Sequence, residues 1–114
     1  MGCLVTDSQT GYATGMNGVQ EDGCAATTVA NCASFSGAVY AYTRSATTWS
    51  QQSYVKATNT GNGDYFGRVV ALSADGNMLA AGAFAEASAA TGVNNTTVGQ
   101  SDNSAPSAGA VYLY

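Results

Sequence analysis

Clusters of apolar residues after position 36 predict a succession of short β-strands. Val and Tyr are concentrated at residues 37–42, polar and apolar residues alternate over 49–57, and residues 66–73 form the most apolar segment. Two more strands are expected at residues 77–84 and 109–114. Short runs rich in Val, Tyr and Phe and bounded by Gly, Asn and Asp are typical of strands joined by turns. The pattern therefore predicts an all-β, antiparallel fold.

The predicted strands have different expected surroundings. The polar strand at residues 49–57 is expected near an exposed sheet edge, where Lys56 discourages unwanted pairing. The apolar strand at residues 66–73 is expected to be buried on both faces. Asp75-Gly76 follows and predicts a tight hairpin in which both residues adopt positive φ. Residues 85–107 then form a long loop, of a length that is uncommon unless the loop has a function.

A seven-residue phrase occurs twice, 72 positions apart. Residues 36–42 read SGAVYAY and residues 108–114 read AGAVYLY. An ATG-x-N phrase precedes each copy, at residues 13–17 and 90–94. The interval from this phrase to the GAVY strand is 24 residues in the first copy and 19 in the second, a difference of five. A repeat at fixed spacing indicates a unit that buries its faces against neighbouring units.

Composition excludes nucleic acid and the membrane interior as partners. Charged residues are 9% of the chain and the net charge is −4, with only Arg44, Lys56 and Arg68 positive. These residues cannot form the basic patch that phosphates require. No apolar run approaches the roughly 20 residues of a membrane span. Gly2-Cys3 fits a short acylation pattern, but no lipid is expected.

The three cysteines suggest one disulfide. Cys24 and Cys32 lie eight positions apart in a segment rich in Gly and Thr, and we expect a small disulfide ring there. Such a ring would indicate an oxidising compartment. The five additional residues of the first copy fall in this segment, so the disulfide would cross-link an inserted loop. Zinc is the weaker alternative, because the chain has no His and no CxxC. Cys3 is left free or pairs with another molecule.

Catalysis is not expected. The chain has no His, which removes the commonest general base and the usual nucleophile triads. Its carboxylates all fall in predicted loops, turns or strand ends, where turn formation or solubility explains them: Asp7, Glu21, Asp22, Asp64, Asp75, Glu86 and Asp102. The oxygen-rich loops around Asp64 and Asp102 are candidates for calcium binding. Otherwise no cofactor is expected.

Two short motifs resemble the FG-GAP repeat, which is named for a Phe-Gly pair and a Gly-Ala-Pro triplet about fifteen residues apart. They are Phe66-Gly67 and Gly82-Ala83-Phe84. The bacterial type is similar in its TWSQQ strand, its ALSADGN hairpin and its GAVY strand, and the resemblance covers residues 13–114.

The resemblance implies β-propeller blades, as in the integrin α-subunit head, with four antiparallel strands in each blade. Residues 1–57 would form a loop with the cysteine insertion plus the last two strands of one blade. Residues 58–114 would form the first three strands of the next, which makes about one and a quarter repeats. The triplet ends in Phe84 instead of Pro, so no turn is required there. Asp75 is the only carboxylate of its hairpin, so the family's calcium role does not carry over to it.

The resemblance further implies a non-enzymatic, extracellular or cell-surface adhesion module. Blades interrupted between strands leave open edges that recruit other chains. We therefore expect an incomplete propeller or a self-complementing homo-oligomer, whose partners are further copies or further blades of a longer chain. The alternative is a ligand-binding module, in which the loops at residues 59–64 and 85–107 form a calcium-dependent or carbohydrate-binding rim.

The repeated tyrosines allow two interpretations. Tyr40, Tyr42, Tyr112 and Tyr114 could form a platform on which a sugar stacks. Their alternation on the repeated strands favours packing between blades instead.

Overall fold

The computed structural model describes residue 33, residues 35–93 and 100–114, and the strand backbone at residues 2–6 and 15–16. The described residues form seven β-strands, which confirms the predicted all-β class. The strands are β1 (Gly2–Thr6), β2 (Gly15–Met16), β3 (Ala38–Ser45), β4 (Thr48–Lys56), β5 (Phe66–Leu72), β6 (Leu79–Ala83) and β7 (Ala110–Leu113). Nowhere in the described residues is there a helix long and apolar enough to cross a bilayer.

The strands form two small antiparallel sheets. The first sheet has the order β1-β3-β4-β2 and the second has the order β5-β6-β7. Three pairs of strands that follow one another in sequence are hydrogen-bonded neighbours: β3 with β4, β5 with β6, and β6 with β7. Strands β1 and β2 were not predicted, and β2 has only two residues. Both are defined by pairing with strands far along the chain.

The sequence repeat is also a repeat of backbone turns. The Ser36 N–H donates a hydrogen bond to the Ala33 carbonyl over 3.3 Å. The Ala108 N–H donates the equivalent bond to the Ala105 carbonyl over 3.1 Å, 72 positions later. The chain therefore enters β3 and β7 through the same turn.

The residues after this turn also share an unusual backbone conformation. Phe35 and Ser107 are both left-handed, with φ of 55° and 58°. Gly37 and Gly109, again 72 positions apart, have φ of 81° and 76°. Left-handed conformations are rare outside glycine, so their recurrence at equivalent positions identifies two copies of one structural unit.

Strand pairing reproduces the five-residue difference between the two copies. Thr6 of β1 lies opposite Ala38 of β3, and Ala83 of β6 lies opposite Ala110 of β7. Ala38 and Ala110 are 72 positions apart, whereas Thr6 and Ala83 are 77 apart. The difference equals the insertion expected from the sequence. Strand β1 is therefore the counterpart of β6, and the first unit contributes three such strands, one more than predicted.

The hydrophobic core lies between the two sheets. Its buried members are Val39, Val55, Ala57, Phe66, Leu79, Ala81 and Ala83. The rings of Tyr112 and Tyr114 meet Phe66 edge to face, with centroid distances of 5.4 and 6.2 Å. The Tyr114 hydroxyl donates a hydrogen bond to the Lys56 carbonyl over 2.7 Å, which ties β7 to the end of β4. Tyr114, which follows β7, thus contributes to packing between the sheets, whereas Tyr112 packs on Phe66 within the second sheet.

Strand β5 is buried on one face only, so the expectation that both faces are buried is wrong. Phe66 points into the core, but Val69 is 70% exposed. The described strands cover only the face that meets the first sheet. Strand β4 has a mostly open outer edge among the described strands, since β2 pairs only with Val55 and Lys56.

The hairpin between β5 and β6 is wider than predicted. Gly76 has φ of 72°, but Asp75 does not adopt the positive φ that a two-residue turn requires. The Gly76 N–H donates to the Ser73 carbonyl, and the Ser73 N–H donates to the Met78 carbonyl, each over 2.9 Å. The Asp75 carboxylate accepts hydrogen bonds from Ser73 Oγ and from both Asn77 nitrogens, and these bonds lower its pKa. Asp75 therefore shapes a four-residue loop.

The chain turns after β6 even though the triplet lacks proline. The Glu86 N–H donates to the Ala83 carbonyl over 3.4 Å, which closes a turn around Phe84.

Candidate functional site

The Phe-Gly pair starts β5 and points the aromatic ring into the core. Gly67 has φ of 84°, and the β5–β6 register shifts between Phe66 and Val69. A left-handed glycine accommodates such a bulge without strain. The bulge allows the Phe66 side chain to enter the core before regular pairing resumes at Val69.

The second motif lies on the neighbouring strand. Ala83 is paired with Phe66 and Gly82 with Val69, so the structure brings the two motifs together at one end of the second sheet. Ala83 is buried towards the first sheet, whereas Phe84 is about half exposed. Four of the five residues lie in the two adjacent strands, whereas Phe84 follows the end of β6.

Backbone hydrogen bonds join the first unit to the start of β5. The Tyr65 N–H donates to the Phe35 carbonyl over 2.9 Å, and the Phe66 N–H donates to the Ser36 carbonyl over 2.8 Å. Gly37 packs so closely on this segment that a Cβ there would lie 2.0 Å from the Phe66 carbonyl oxygen. The junction between the two units therefore requires glycine at position 37.

Lys56 lies in the interior near this junction and not at an exposed edge, so the sequence-based expectation for it is wrong. It is fully buried, and its Nζ donates to Ser36 Oγ over 2.6 Å. Burial lowers the pKa of Lys56 to about 8, and the nearby negative charge of Asp64 partly opposes that shift. A serine and a lysine in this contact can act as nucleophile and base. Both are inaccessible to a substrate here, so the pair supports the fold.

A second polar cluster connects two loops, at residue 59 and at residues 86–88, with strand β7. Asn59 Nδ2 donates to the Glu86 carboxylate over 2.7 Å, and the Ser88 N–H donates to its other oxygen over 3.0 Å. The Tyr112 hydroxyl donates to Asn59 Oδ1. Burial raises the pKa of Glu86 and, together with the nearby Glu86 charge, raises that of Tyr112. The cluster fixes the start of the long loop against β7.

The two calcium candidates, Asp64 and Asp102, each accept a backbone hydrogen bond within their own loop. Asp64 is buried, its carboxylate accepts the Gly61 N–H over 2.6 Å, and burial raises its pKa. Asp102 is exposed and its carboxylate accepts the Ser104 N–H over 3.0 Å. Among the described residues, no three His, Cys, Asp or Glu side chains are close enough to hold a metal ion. The observed contacts of both carboxylates are turn contacts.

Three aromatic rings stack on the surface beside the junction. Tyr65 lies between Phe35 and Phe84, with centroid distances of 5.7 and 5.2 Å. The Arg68 guanidinium lies over the Phe84 ring at 5.3 Å. We call these four residues the aromatic ladder. The sequence did not predict it, because Phe35 belongs to the first unit and meets the others only through packing of the two units.

An apolar groove opens on the face of the second sheet that points away from the first sheet. It has a volume of about 480 Å³ and is lined by Arg68, Val69, Ala80, Gly82, Ala83, Phe84, Gly109, Ala110 and Val111. Val111 is 73% exposed, and Leu113 on the same strand is also exposed. Contiguous exposed apolar surface of this kind marks interaction sites.

Two features named from the sequence lie outside this description. Cys24 and Cys32 are not among the described residues, so their disulfide stays a prediction. The side chain of Cys3 is likewise outside the description, although its backbone belongs to β1.

No known protein family, no curated protein and no solved structure matches this chain. The FG-GAP resemblance therefore stays a prediction.

The buried lysine predicts a specific dependence of stability on pH. The pKa of Lys56 is about 8 in the folded chain and near 10.5 when unfolded, so the unfolded chain binds more protons between these values. The free energy of unfolding should rise by about 2 kcal/mol from pH 8 to pH 10. It should fall again above pH 10, because burial raises the pKa of Tyr114 to about 12.

Urea denaturation followed by circular dichroism between pH 7 and pH 11 measures this effect. Lys56→Met keeps an unbranched side chain that is one atom shorter and removes the charge, so the rise between pH 8 and pH 10 should disappear. A rise of equal size in this variant would contradict the assignment to Lys56.

Proposed function

We propose that this chain is a non-enzymatic structural or adhesion module made of FG-GAP-type β-propeller blades. It acts outside the cell or at the cell surface, and it associates with further copies or further blades through its second sheet. One observation carries the proposal. Val39 is fully buried because the second sheet covers the first, whereas its repeat counterpart Val111 is 73% exposed. The same position is thus covered in one unit and uncovered in the next.

The open strand edge supports the same conclusion. Strand β3 pairs with β1 on one side and with β4 on the other. Its counterpart β7 pairs with β6, but among the described strands none occupies its other side. A strand added there would complete the arrangement seen in the first sheet, and such edges recruit extended segments.

Sedimentation velocity over a range of protein concentrations tests the proposal. The wild-type chain should associate, and Val111→Asp should weaken association at least tenfold, because a carboxylate would be buried at the interface. Val93→Asp is the matched control, since Val93 is highly exposed but does not line the groove. A wild-type chain that stays monomeric would contradict association between copies, and equal effects of the two variants would contradict association through the second sheet.

A carbohydrate-binding module is the second candidate, and the exposed aromatic ladder is the observation that favours it. Flat aromatic surfaces suit the apolar faces of sugar rings. Phe35 belongs to the ladder but does not line the groove, so Phe35→Ala separates the two candidates. A melting temperature raised by soluble oligosaccharides only in the wild type would favour sugar binding. Calcium and a chelator in the same assay test the calcium-dependent form.

A further inference from the structure

The junction between the two units shows what the groove of the second unit is built to receive. In the first unit, the carbonyls of Phe35 and Ser36 accept the N–H groups of Tyr65 and Phe66. Gly37 leaves room for the Phe66 backbone, and the Phe66 ring then packs into the core that contains Val39. A loop of one unit thus holds the strand start of the next.

The second unit presents the same loop without an occupant from the described chain. Ser107 and Gly109 have the φ values of Phe35 and Gly37, and the turn before them is the same. The carbonyls of Ser107 and Ala108 therefore correspond to the two acceptors of the first unit. Neither accepts a hydrogen bond from a described residue, and both residues are exposed.

The groove lies directly beyond these carbonyls. One wall consists of Gly109, Ala110 and Val111, the counterparts of Gly37, Ala38 and Val39. A Cβ at Gly109 would meet its nearest neighbour, the Phe84 carbonyl, at 3.3 Å, whereas at Gly37 the nearest atom would be at 2.0 Å. The space that β5 fills at Gly37 is therefore open at Gly109.

We propose that the groove binds an extended Tyr-Phe-Gly segment from another unit of the same repeat. The two N–H groups of its aromatic residues donate to the Ser107 and Ala108 carbonyls, and its Phe ring packs against Val111. Phe66 of this chain is buried and its N–H is bonded to Ser36 of the same chain. A further unit with an unoccupied Tyr-Phe-Gly segment therefore supplies the segment directly, whereas a second copy supplies it only by exchanging it out of its own junction. This inference rests on the proposed function and names the segment that docks.

A synthetic peptide with the sequence of residues 62–73, NGDYFGRVVALS, tests the inference directly. It is titrated into ¹⁵N-labelled protein, at a protein concentration below that of self-association. Saturable shifts are expected at the amides of Gly109, Ala110 and Val111. A control peptide carrying Phe66→Ala and Gly67→Ala should bind at least tenfold more weakly.

Protein variants complete the test. Val111→Asp should abolish the shifts and Val93→Asp should retain them, and the dispersion of each free spectrum shows whether the variant is folded. The inference is overturned by the absence of saturable shifts at the groove, or by equal binding of the two peptides.

The two proposals can fail separately. If the wild type self-associates in a Val111-dependent way but does not bind the peptide, the proposed function stands and the docking segment is wrong. If the peptide binds but the protein remains monomeric at every concentration, the docking segment stands and association between copies is wrong.

Discussion

Replacing Gly37 by alanine is expected to lower the free energy of unfolding by about 2–5 kcal/mol. A left-handed conformation disfavours any residue with a Cβ by about 1–2 kcal/mol. Here the new Cβ would also lie 2.0 Å from the oxygen and 2.7 Å from the nitrogen of Phe66, both backbone atoms. Relief of such an overlap requires backbone movement, which costs about 1–3 kcal/mol more. Urea denaturation followed by far-ultraviolet circular dichroism measures the loss.

Gly63→Ala is the matched control for the backbone conformation alone. Gly63 has φ of 80°, nearly that of Gly37, but no atom lies within 4 Å of a Cβ built there. It should lose only about 1–2 kcal/mol. Gly109→Ala should lose slightly more than Gly63→Ala and less than Gly37→Ala, since a Cβ there would make a tight contact of 3.3 Å with the Phe84 carbonyl oxygen. Equal losses at Gly37 and Gly63 would show that the units are not packed as described.

Phe66→Ala should destabilise the chain by about 3–5 kcal/mol, the range for removing a large aromatic side chain from a core. Phe66 is almost fully buried and contacts both Tyr112 and Tyr114, so its loss leaves a cavity between the sheets. Thermal and urea unfolding measure the effect. The near-ultraviolet circular dichroism signal of the aromatic side chains should also decrease, because the edge-to-face contacts are lost.

Phe84→Ala removes the same side chain from a half-exposed position of the neighbouring motif. It should cost about 1–2 kcal/mol, because about half of the ring is already exposed and the main losses are its contacts with Tyr65 and Arg68. If the two phenylalanine variants were equally stable, Phe66 would not be the centre of the core.

The strands that show a clear hydrophobic pattern were predictable from the sequence. Each of the strands β3 through β7 overlaps a predicted segment, and the ends differ by at most three residues. Strands β1 and β2 were missed because they are defined by pairing across 30 or more positions and carry no period of their own. The wider hairpin was missed because side-chain hydrogen bonds from Ser73 and Asn77 to Asp75 stabilise a longer loop.

The prediction that β5 is buried on both faces was wrong for an informative reason. Val69 is as apolar as a core residue, but the described strands leave it exposed. A hydrophobic pattern predicts that a side chain is buried against other apolar surface. It does not show whether the covering surface belongs to the same chain.

The candidate site was only half predictable. The Phe-Gly and Gly-Ala-Phe motifs lie close together in sequence and in space, so the sequence could indicate them. Lys56, Asn59 and Glu86 come together with partners 20 to 53 positions away, and no local pattern marks such contacts. Lys56 was misplaced for this reason, since an isolated lysine on a polar strand resembles a surface charge.

The unequal burial of Val39 and Val111 gives any assembly of these units a direction. The proposed contact would join two different surfaces, so it would be heterologous, and each unit added in this way would again present the face that it does not use. Growth through this contact would therefore be polar and would not saturate at a dimer. It would stop when the rotation between successive units closes a ring, or when a terminal unit with a polar outer face caps the stack.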